Sequence, residues 1–557
     1  MATSDEPRVG GDDLNAPDVD ARAATVRSAA TMSGGTLLSR ATGLLRVGML
    51  AAALGASSLS DTYNVANTTP NIVYELILGG VLTSVFVPVL VEWGKAHGLD
   101  EMWEAGSRFL TFVLVTLTAV TLVAMVFAPA IMRFYTAGKA SDPDYEQQVA
   151  LGAYLLRWFL PQIVFYGIGA VAAGLLTANR RFAAQMYAPV LNNVAVIITM
   201  AVFIWIRPFK HMPIEAVTPG LRLLLGAGTT LGVVAMTVAL WPALRRLGFR
   251  WRLRFDWRHE TIRRLVRLAR WVVVYVAANQ IAYFLIIRMS SHVPSEGAYT
   301  IYSYAFIFFS LPHAIVAVSI FTALLPGLAE RWTDRDAGGV RELYSRGTRD
   351  TLLMMIPAAA GLIVLAGPIV HLVASYGAFR VADTDLLART LAAFAVGLPF
   401  FSAFQLLTRT YYATQDSRTP AVANIAVAVV NLGVDLWLAF GLGLGVVGLA
   451  LGYSASYVAG SAILAFLLSR KLEGIDGRRV ASTVARTLAA ATVSAAAAWL
   501  AAEGVARVVD VQRPLMRLVQ VLAGVSAGVL AFAAGTLIFK IQEADEVRRA
   551  LTTRFRR

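Results

Sequence analysis

No cysteine occurs in the chain, which excludes disulfides, thiol nucleophiles and Cys-ligated metal centres. Charge is scarce too. Only 15% of the 557 residues are Asp, Glu, Lys or Arg, where a soluble domain carries about 25%. Acidic residues are the rarer sign, 35 against 49 Lys and Arg. The two histidines inside apolar stretches, His313 and His371, are far apart and lack metal-ligand spacing. There is no glycine-rich phosphate loop with lysine, no HExxH pair and no nucleophile elbow. Nor is any polar stretch long enough to house an ATP-hydrolysing domain, so the expectation is not an enzyme. Residues 1–30 lack the basic-then-apolar layout of a cleaved leader. Polar and rich in Asp and Ala, they are expected to form a disordered cytoplasmic tail.

What fills the chain instead is apolar. Hydrophobic residues make up 57% and the mean hydropathy is +0.62. Backbone polar groups in lipid must be satisfied within each segment, so such runs are helices. The expected fold is an all-α polytopic membrane protein with fourteen transmembrane helices. They lie near 32–54, 62–93, 107–133, 151–177, 186–206, 220–244, 266–289, 298–329, 350–373, 386–408, 420–441, 444–469, 483–502 and 515–539. The net charge of +14 does not indicate nucleic acid. The arginines crowd alternate loops, most densely from Arg245 to Arg270 and from Arg331 to Arg349, as the positive-inside rule describes. Both termini are therefore expected in the cytoplasm. The basic tail at 541–557 could also touch anionic headgroups. Segment two is too long for a straight span, and Pro70, Gly79–Gly80 and Pro88 offer bending points.

The halves repeat. Leu175-Leu176-Thr177, Pro189 and Asn193 recur as Leu406-Leu407-Thr408, Pro420 and Asn424, while Pro88 and Glu92 recur as Pro326 and Glu330, each followed closely by Trp. Residues 31–250 (helices 1–6) and 251–470 (helices 7–12) thus read as two parallel six-helix lobes, with helices 13–14 appended at 471–540.

Ionisable groups at membrane depth cost roughly 2.5–3.5 kcal/mol each on insertion scales and favour a polar interior. The first segment has two. Arg46 shares a face with Ser39, seven residues earlier, and Arg40 lies about 120° round the helix. Arg46 sits roughly 21 Å into the segment at 1.5 Å per residue, too deep to snorkel easily; Arg40, nearer the end, could line a cavity or reach the interface. Guanidinium groups grip phosphate bidentately. Gly35, Ser39 and Gly43 form a small-residue stripe for close helix contact. On segment two, Asp61, Asn64, Asn71 and Glu75 follow, and Glu75 could pair with an arginine. Asn431 and Asp435, at i and i+4 on segment eleven, offer oxygens to a hard cation such as sodium; a proton carrier or a structural pair are the alternatives. Asn192–Asn193, Asn279–Gln280 and Arg288 either line a cavity or hydrogen-bond between helices.

SRATGLLRVGMLAAALG, then DTYNVANTTPN and FVPVLVEW, resembles the start of the MurJ/MviN-type lipid II flippases of the MOP superfamily. LPQIVFYG, RRFAAQMYAPVLNN and YYATQDSRTP extend the resemblance across residues 31–470. It implies two six-helix lobes around a V-shaped cationic cavity, with helices 13–14 forming a groove for a polyprenyl tail. It also implies alternating access that moves lipid-linked peptidoglycan precursor from the inner to the outer leaflet of a bacterial cytoplasmic membrane. By motif position Ser39, Arg40, Arg46 and Asp61 match cavity residues. The chain departs from the pattern at Val47, an Asp in the family, and at Tyr74 and Glu75, an arginine pair. Ile307 replaces another arginine. Ile287, beside Arg288, stands where members with a sodium site have Asp; Asn431 and Asp435 match the rest of that site.

The expected substrate-binding set is therefore Ser39, Arg40, Arg46, Asp61, Asn71, Glu75 and Arg288, with Asn431 and Asp435 as ion-binding candidates. No cofactor is expected beyond sodium or proton coupling. Expected partners are the polyprenyl-diphosphate-linked muropeptide, membrane lipids and cell-wall synthesis proteins, not nucleic acid. The missing arginines keep alternatives open: Arg288 compensates, the cargo is another polyprenyl-diphosphate oligosaccharide, or the chain is a non-transporting scaffold of cell-wall synthesis. A drug antiporter of the same superfamily would have twelve spans. A polyprenyl-dependent glycosyltransferase would need a large outer loop with acidic groups.

Overall fold

The computed structural model describes residues 16–78, 86–179, 181–253 and 260–545; within them the side chains at 16–33, 73–78, 87–89, 91, 95, 260–273 and 275 lie outside the described set. Among the described residues the only regular elements are helices. All fourteen expected segments fall on them. The first is Ala16–Leu54, which begins inside the stretch read as a tail. The second gives Ser58–Leu78 and Val87–His97, and the bend expected at Gly79–Gly80 lies outside the described residues. Next come Leu99–Val126 with Ala128–Tyr135, Tyr145–Phe159 with Gln162–Ala178, Ala183–Ile206 and Pro219–Val238 with Trp241–Arg246. The second half runs Glu260–Ser290, Ala298–Pro312 with Val318–Thr333, Ala337–Ala374, Val381–Val396 with Leu398–Ala413, Arg418–Asp435 and Gly445–Lys471. Gly477–Val508 and Pro514–Ile538 complete the set.

Among the described residues eleven stretches are long and apolar enough to cross a membrane, and the pair Val381–Val396 and Leu398–Ala413, bent by 45°, makes a twelfth if taken as one span. Of the remaining two, Ser58–Leu78 is more polar, and the seventh segment contributes the shorter apolar stretch Val276–Ser290.

Sequence chemistry explains where helices break. The fourth segment breaks at Leu160-Pro161 and the tenth at Gly397, two residues before Pro399, because proline removes a backbone donor and crowds the preceding turn. The eighth and eleventh instead absorb an extra residue as π-turns, His313–Ala317 and Leu436–Gly441. Asp336 starts the long ninth helix, its carboxylate accepting from the Gly339 N–H at 2.7 Å, a standard way to satisfy an orphan donor.

The first segment packs on the fifth, the second on the fourth, the seventh on the eleventh and the eleventh on the twelfth. The thirteenth and fourteenth form a hairpin against the ninth. Ser494 Oγ donates to the Gly528 carbonyl at 2.7 Å across that hairpin. Near the end of the fourteenth segment, buried Glu543 pairs with Arg349 of the ninth and accepts from Thr483 of the thirteenth at 3.2 Å.

Candidate functional site, a divided cavity between the two halves

The small-residue stripe of the first segment lets the fifth approach closely. A Cβ on Gly35 would come within 2.8 Å of Met186 Cβ. Beside this contact lies a cavity of about 440 Å³, with Ser39, Arg40 and Arg46 on its wall. Arg46 donates to Asn193 Oδ1 at 3.5 Å. Asn193 is held by its own amide, which donates to the Ser39 carbonyl at 3.1 Å and to Thr42 Oγ1 at 3.0 Å. Arg40 is exposed. Among the described residues Arg40 and Arg46 are the only charged side chains on this wall, and no carboxylate among them pairs with either. Two permanent cations thus face a water-accessible hollow without a counter-ion among the described residues.

The second segment supplies neutral polarity. Asn64, Asn67, Thr68 and Asn71 line the same wall. Thr68 Oγ1 meets Tyr299 Oη at 2.7 Å, and Tyr299 meets Tyr283 at 3.0 Å. Past this group opens a second compartment of about 410 Å³, sharing Thr68, Asn71, Tyr283 and Phe306 with the first. Its polar lining includes Asn279, Gln280, Gln405, Asn431 and Ser456, and none of its lining residues among those described is charged. Of the two readings open for Asn279–Gln280, cavity lining is the one seen.

Asp61 does not line either compartment. It is buried, accepting from the Thr300 N–H at 2.9 Å and the Thr300 hydroxyl at 2.8 Å, with Lys139 Nζ at 3.7 Å. Ser60 Oγ and the Asn64 amide reach the same hydroxyl, both at 3.0 Å. Around this knot the two halves are joined at the ends bearing the basic-poor loops. Gly138 N–H donates to Ser291 Oγ at 3.1 Å, and the Ala378 N–H to the Ala52 carbonyl at 2.9 Å. At Gly297 (φ 69°) the chain runs so close to Ala56 that a Cβ would collide with its backbone.

Arg288 belongs to this joint. Its guanidinium donates to the Phe134 carbonyl at 2.8 Å and lies 4.5 Å from the Phe134 ring centre. The expectation that Arg288 binds substrate in place of the missing arginines is thereby corrected: it binds the other half of the protein. Ile307, by contrast, does face the first compartment. The side chains of Tyr74 and Glu75 lie outside the described residues.

Asn431 donates to Asp435 Oδ2 at 2.9 Å. Asp435 is fully buried, and its Oδ1, packed against Gly452, has no hydrogen-bond partner. Both residues also line an apolar hollow of about 390 Å³ between the seventh and eleventh segments. Ile287, 1% exposed, adds no oxygen here. Among the described residues no cluster of three or more His, Asp or Glu could hold a metal.

Several residues of this architecture left no trace in the sequence reading. Lys139 is a lone lysine in a loop, and Thr300 and Gln405 are common helix residues. Only the fold brings them to the joint and the cavity.

The model of the family described as lipid II flippase MurJ matches residues 50–519. A relative from Rhizobium meliloti (strain 1021), named "Probable lipid II flippase MurJ", is 30% identical over 512 residues, covering 91% of this chain and 92% of that protein. Among solved structures, "Lipid II flippase MurJ, inward closed conformation" superposes with a TM-score of 0.72 at 21% identity, covering 91% of this chain and 98% of that one. A multidrug resistance MATE family transporter of the MOP superfamily, in an inward-facing conformation, superposes at 0.64 with 14% identity, covering 78% of this chain and 94% of that one.

Proposed function

The chain belongs to the lipid II flippase MurJ family, and on that premise we propose how its cavity carries a polyprenyl-diphosphate-linked muropeptide. The protein flips lipid II across the membrane and is a transporter, not an enzyme. Arg40 and Arg46 hold the diphosphate. The observation that carries this reading is that both face the cavity with no carboxylate partner among the described residues. Charge-assisted hydrogen bonds of guanidinium to phosphate are the strong ones, and these two groups are available to make them. Asn193 positions Arg46 from behind, while Ser39 and Asn71 add neutral contacts.

The joint at Asp61, Thr300, Gly138 and Ala378 is the gate on the outer side, and the cavity admits substrate from the side of the arginine-rich loops. On this reading both termini lie in the cytoplasm of a bacterium and the protein in its cytoplasmic membrane. Alternating access opens the joint and delivers the head group to the outer leaflet. The hairpin of the thirteenth and fourteenth segments guides the polyprenyl tail along the ninth. Sodium or protons couple through Asn431 and Asp435, where Oδ1 lacks a partner.

Proteoliposomes holding fluorescent lipid II test the proposal. Wild-type protein exposes the label to an external quencher within minutes, and Arg46→Ala does not. Equal rates from both would remove Arg46 from the mechanism. The isoleucine at 307 on the cavity wall favours a second reading, a different polyprenyl-diphosphate oligosaccharide, which the same assay separates by cargo.

A further inference from the structure

We infer that the uncharged compartment is a sugar subsite, built to take the N-acetylated sugars attached to the diphosphate; the inference rests on the cavity carrying a lipid-linked sugar. Asn279 and Gln280 of the seventh segment and Gln405 of the tenth converge on this hollow. None of the three makes a hydrogen bond to another described residue. Each amide offers two donors and an acceptor. Half-exposed on the hollow and without a partner among the described residues, these three amides from two helices are free to bond a ligand there.

The chemistry narrows that ligand. Among the described residues no charged side chain lines the compartment, and what those residues offer is neutral hydrogen bonding, which suits hydroxyl and acetamido groups better than a phosphate. The same lining includes Phe401, Tyr453 and Tyr457, with ring centres 5.0 Å apart for Phe401–Tyr457 and 4.8 Å for Tyr453–Tyr457. Aromatic faces pack the C–H faces of pyranose rings, and amides bond hydroxyl and acetamido groups. An apolar wall with a few convergent polar groups is the usual build of a small-ligand site, and about 410 Å³ falls within the usual range of about 300–1,000 Å³.

Position agrees with composition. The compartment shares Thr68, Asn71, Tyr283 and Phe306 with the arginine compartment. A sugar bonded directly to a diphosphate held by Arg40 and Arg46 therefore enters it across this shared wall. The peptide stem is left toward the mouth, and sugars rather than peptide are what the protein reads here.

The test compares two probes in nanodiscs: lipid II, and undecaprenyl diphosphate, which has the diphosphate and tail but no sugar. The triple variant N279A/Q280A/Q405A is expected to bind lipid II at least tenfold more weakly, given the ordinary worth of neutral hydrogen bonds. Its binding of undecaprenyl diphosphate stays within twofold of wild type, which also shows that the variant is folded. If the triple variant fails to fold, N279A and Q405A singly carry the same comparison with an expected severalfold loss. Equal weakening for both probes, or for neither, overturns the sugar subsite. Wild-type protein that binds both probes equally overturns it as well, while leaving the flippase reading intact. Wild-type protein that binds neither overturns that reading and the subsite with it.

Discussion

Asp61 of the second helix and Thr300 of the eighth are joined by two hydrogen bonds, from the Thr300 N–H at 2.9 Å and its hydroxyl at 2.8 Å. Each residue comes from a different half, so the pair can persist only while the halves touch at that end. Thr300→Val removes the hydroxyl and leaves a buried carboxylate oxygen short of a donor, a loss of roughly 1.5–3 kcal/mol. The gate is expected to open more often. With no native cysteine, a single cysteine at Leu50 reports this without background. A membrane-impermeant maleimide added from outside should label Leu50→Cys at least fivefold faster when Thr300 is Val.

Arg40 and Arg46 differ in support. Arg46 is backed by Asn193, whereas Arg40 is exposed. Arg46→Ala should weaken binding of undecaprenyl diphosphate roughly 10- to 100-fold, the loss of a charged hydrogen-bond donor. Asn193→Ala should weaken it by a smaller factor, because it misplaces the guanidinium without removing it. Titration in nanodiscs gives both values.

Ile307 lines the arginine compartment and is half-buried. Ile307→Arg places a third cation there with room to reach the hollow. The expected outcome is severalfold tighter binding of undecaprenyl diphosphate with little change in thermal stability. Unchanged affinity would mean that the diphosphate sits away from the eighth helix.

Glu543, 5% exposed, depends on Arg349 for its counter-charge. Arg349→Met leaves that charge buried and unpaired, at about 3–5 kcal/mol. A fall in melting temperature of several degrees is expected in detergent. The double variant Arg349→Met, Glu543→Met should recover most of it, since replacing a buried pair by apolar groups is often neutral.

Asp416, in the turn between the tenth and eleventh segments, has its carboxyl pushed up by partial burial. The stronger pull is downward, from two Thr419 hydrogen bonds at 3.0 and 2.8 Å and Lys471 at 3.5 Å. A depressed carboxylate stabilises the fold above its unfolded value, and that stabilisation is lost as pH falls through its folded value. At pH 7 wild type should therefore melt above Asp416→Asn. The gap should close as pH drops below about 3.9, the ordinary aspartate value.

Arg46 was legible because depth and spacing are one-dimensional. Seven residues after Ser39 and far from the helix end, it had to face something polar. The same logic misplaced Arg288. Its helix position demanded a polar environment, but sequence cannot say whether that is water in a cavity or the Phe134 carbonyl of another helix. Asp61 was found as an important group yet assigned to the cavity, because its partners Thr300 and Lys139 lie far off in the chain. Gln405 drew no notice among its apolar neighbours. The breaks at Pro161 and Pro399 follow from local backbone rules, while the π-turns after Pro312 and Asp435 do not.

With no carboxylate partner among the described residues, Arg40 and Arg46 would give the transport cycle an electrical direction. Loaded with a diphosphate, the cavity is close to neutral and its outward passage moves little net charge. Empty, it returns carrying two positive charges toward the negative cytoplasm, and each charge that crosses the full field gains about 2.3 kcal/mol per 100 mV. Membrane voltage would therefore act on resetting the empty carrier, and turnover should slow on depolarisation even when substrate is abundant.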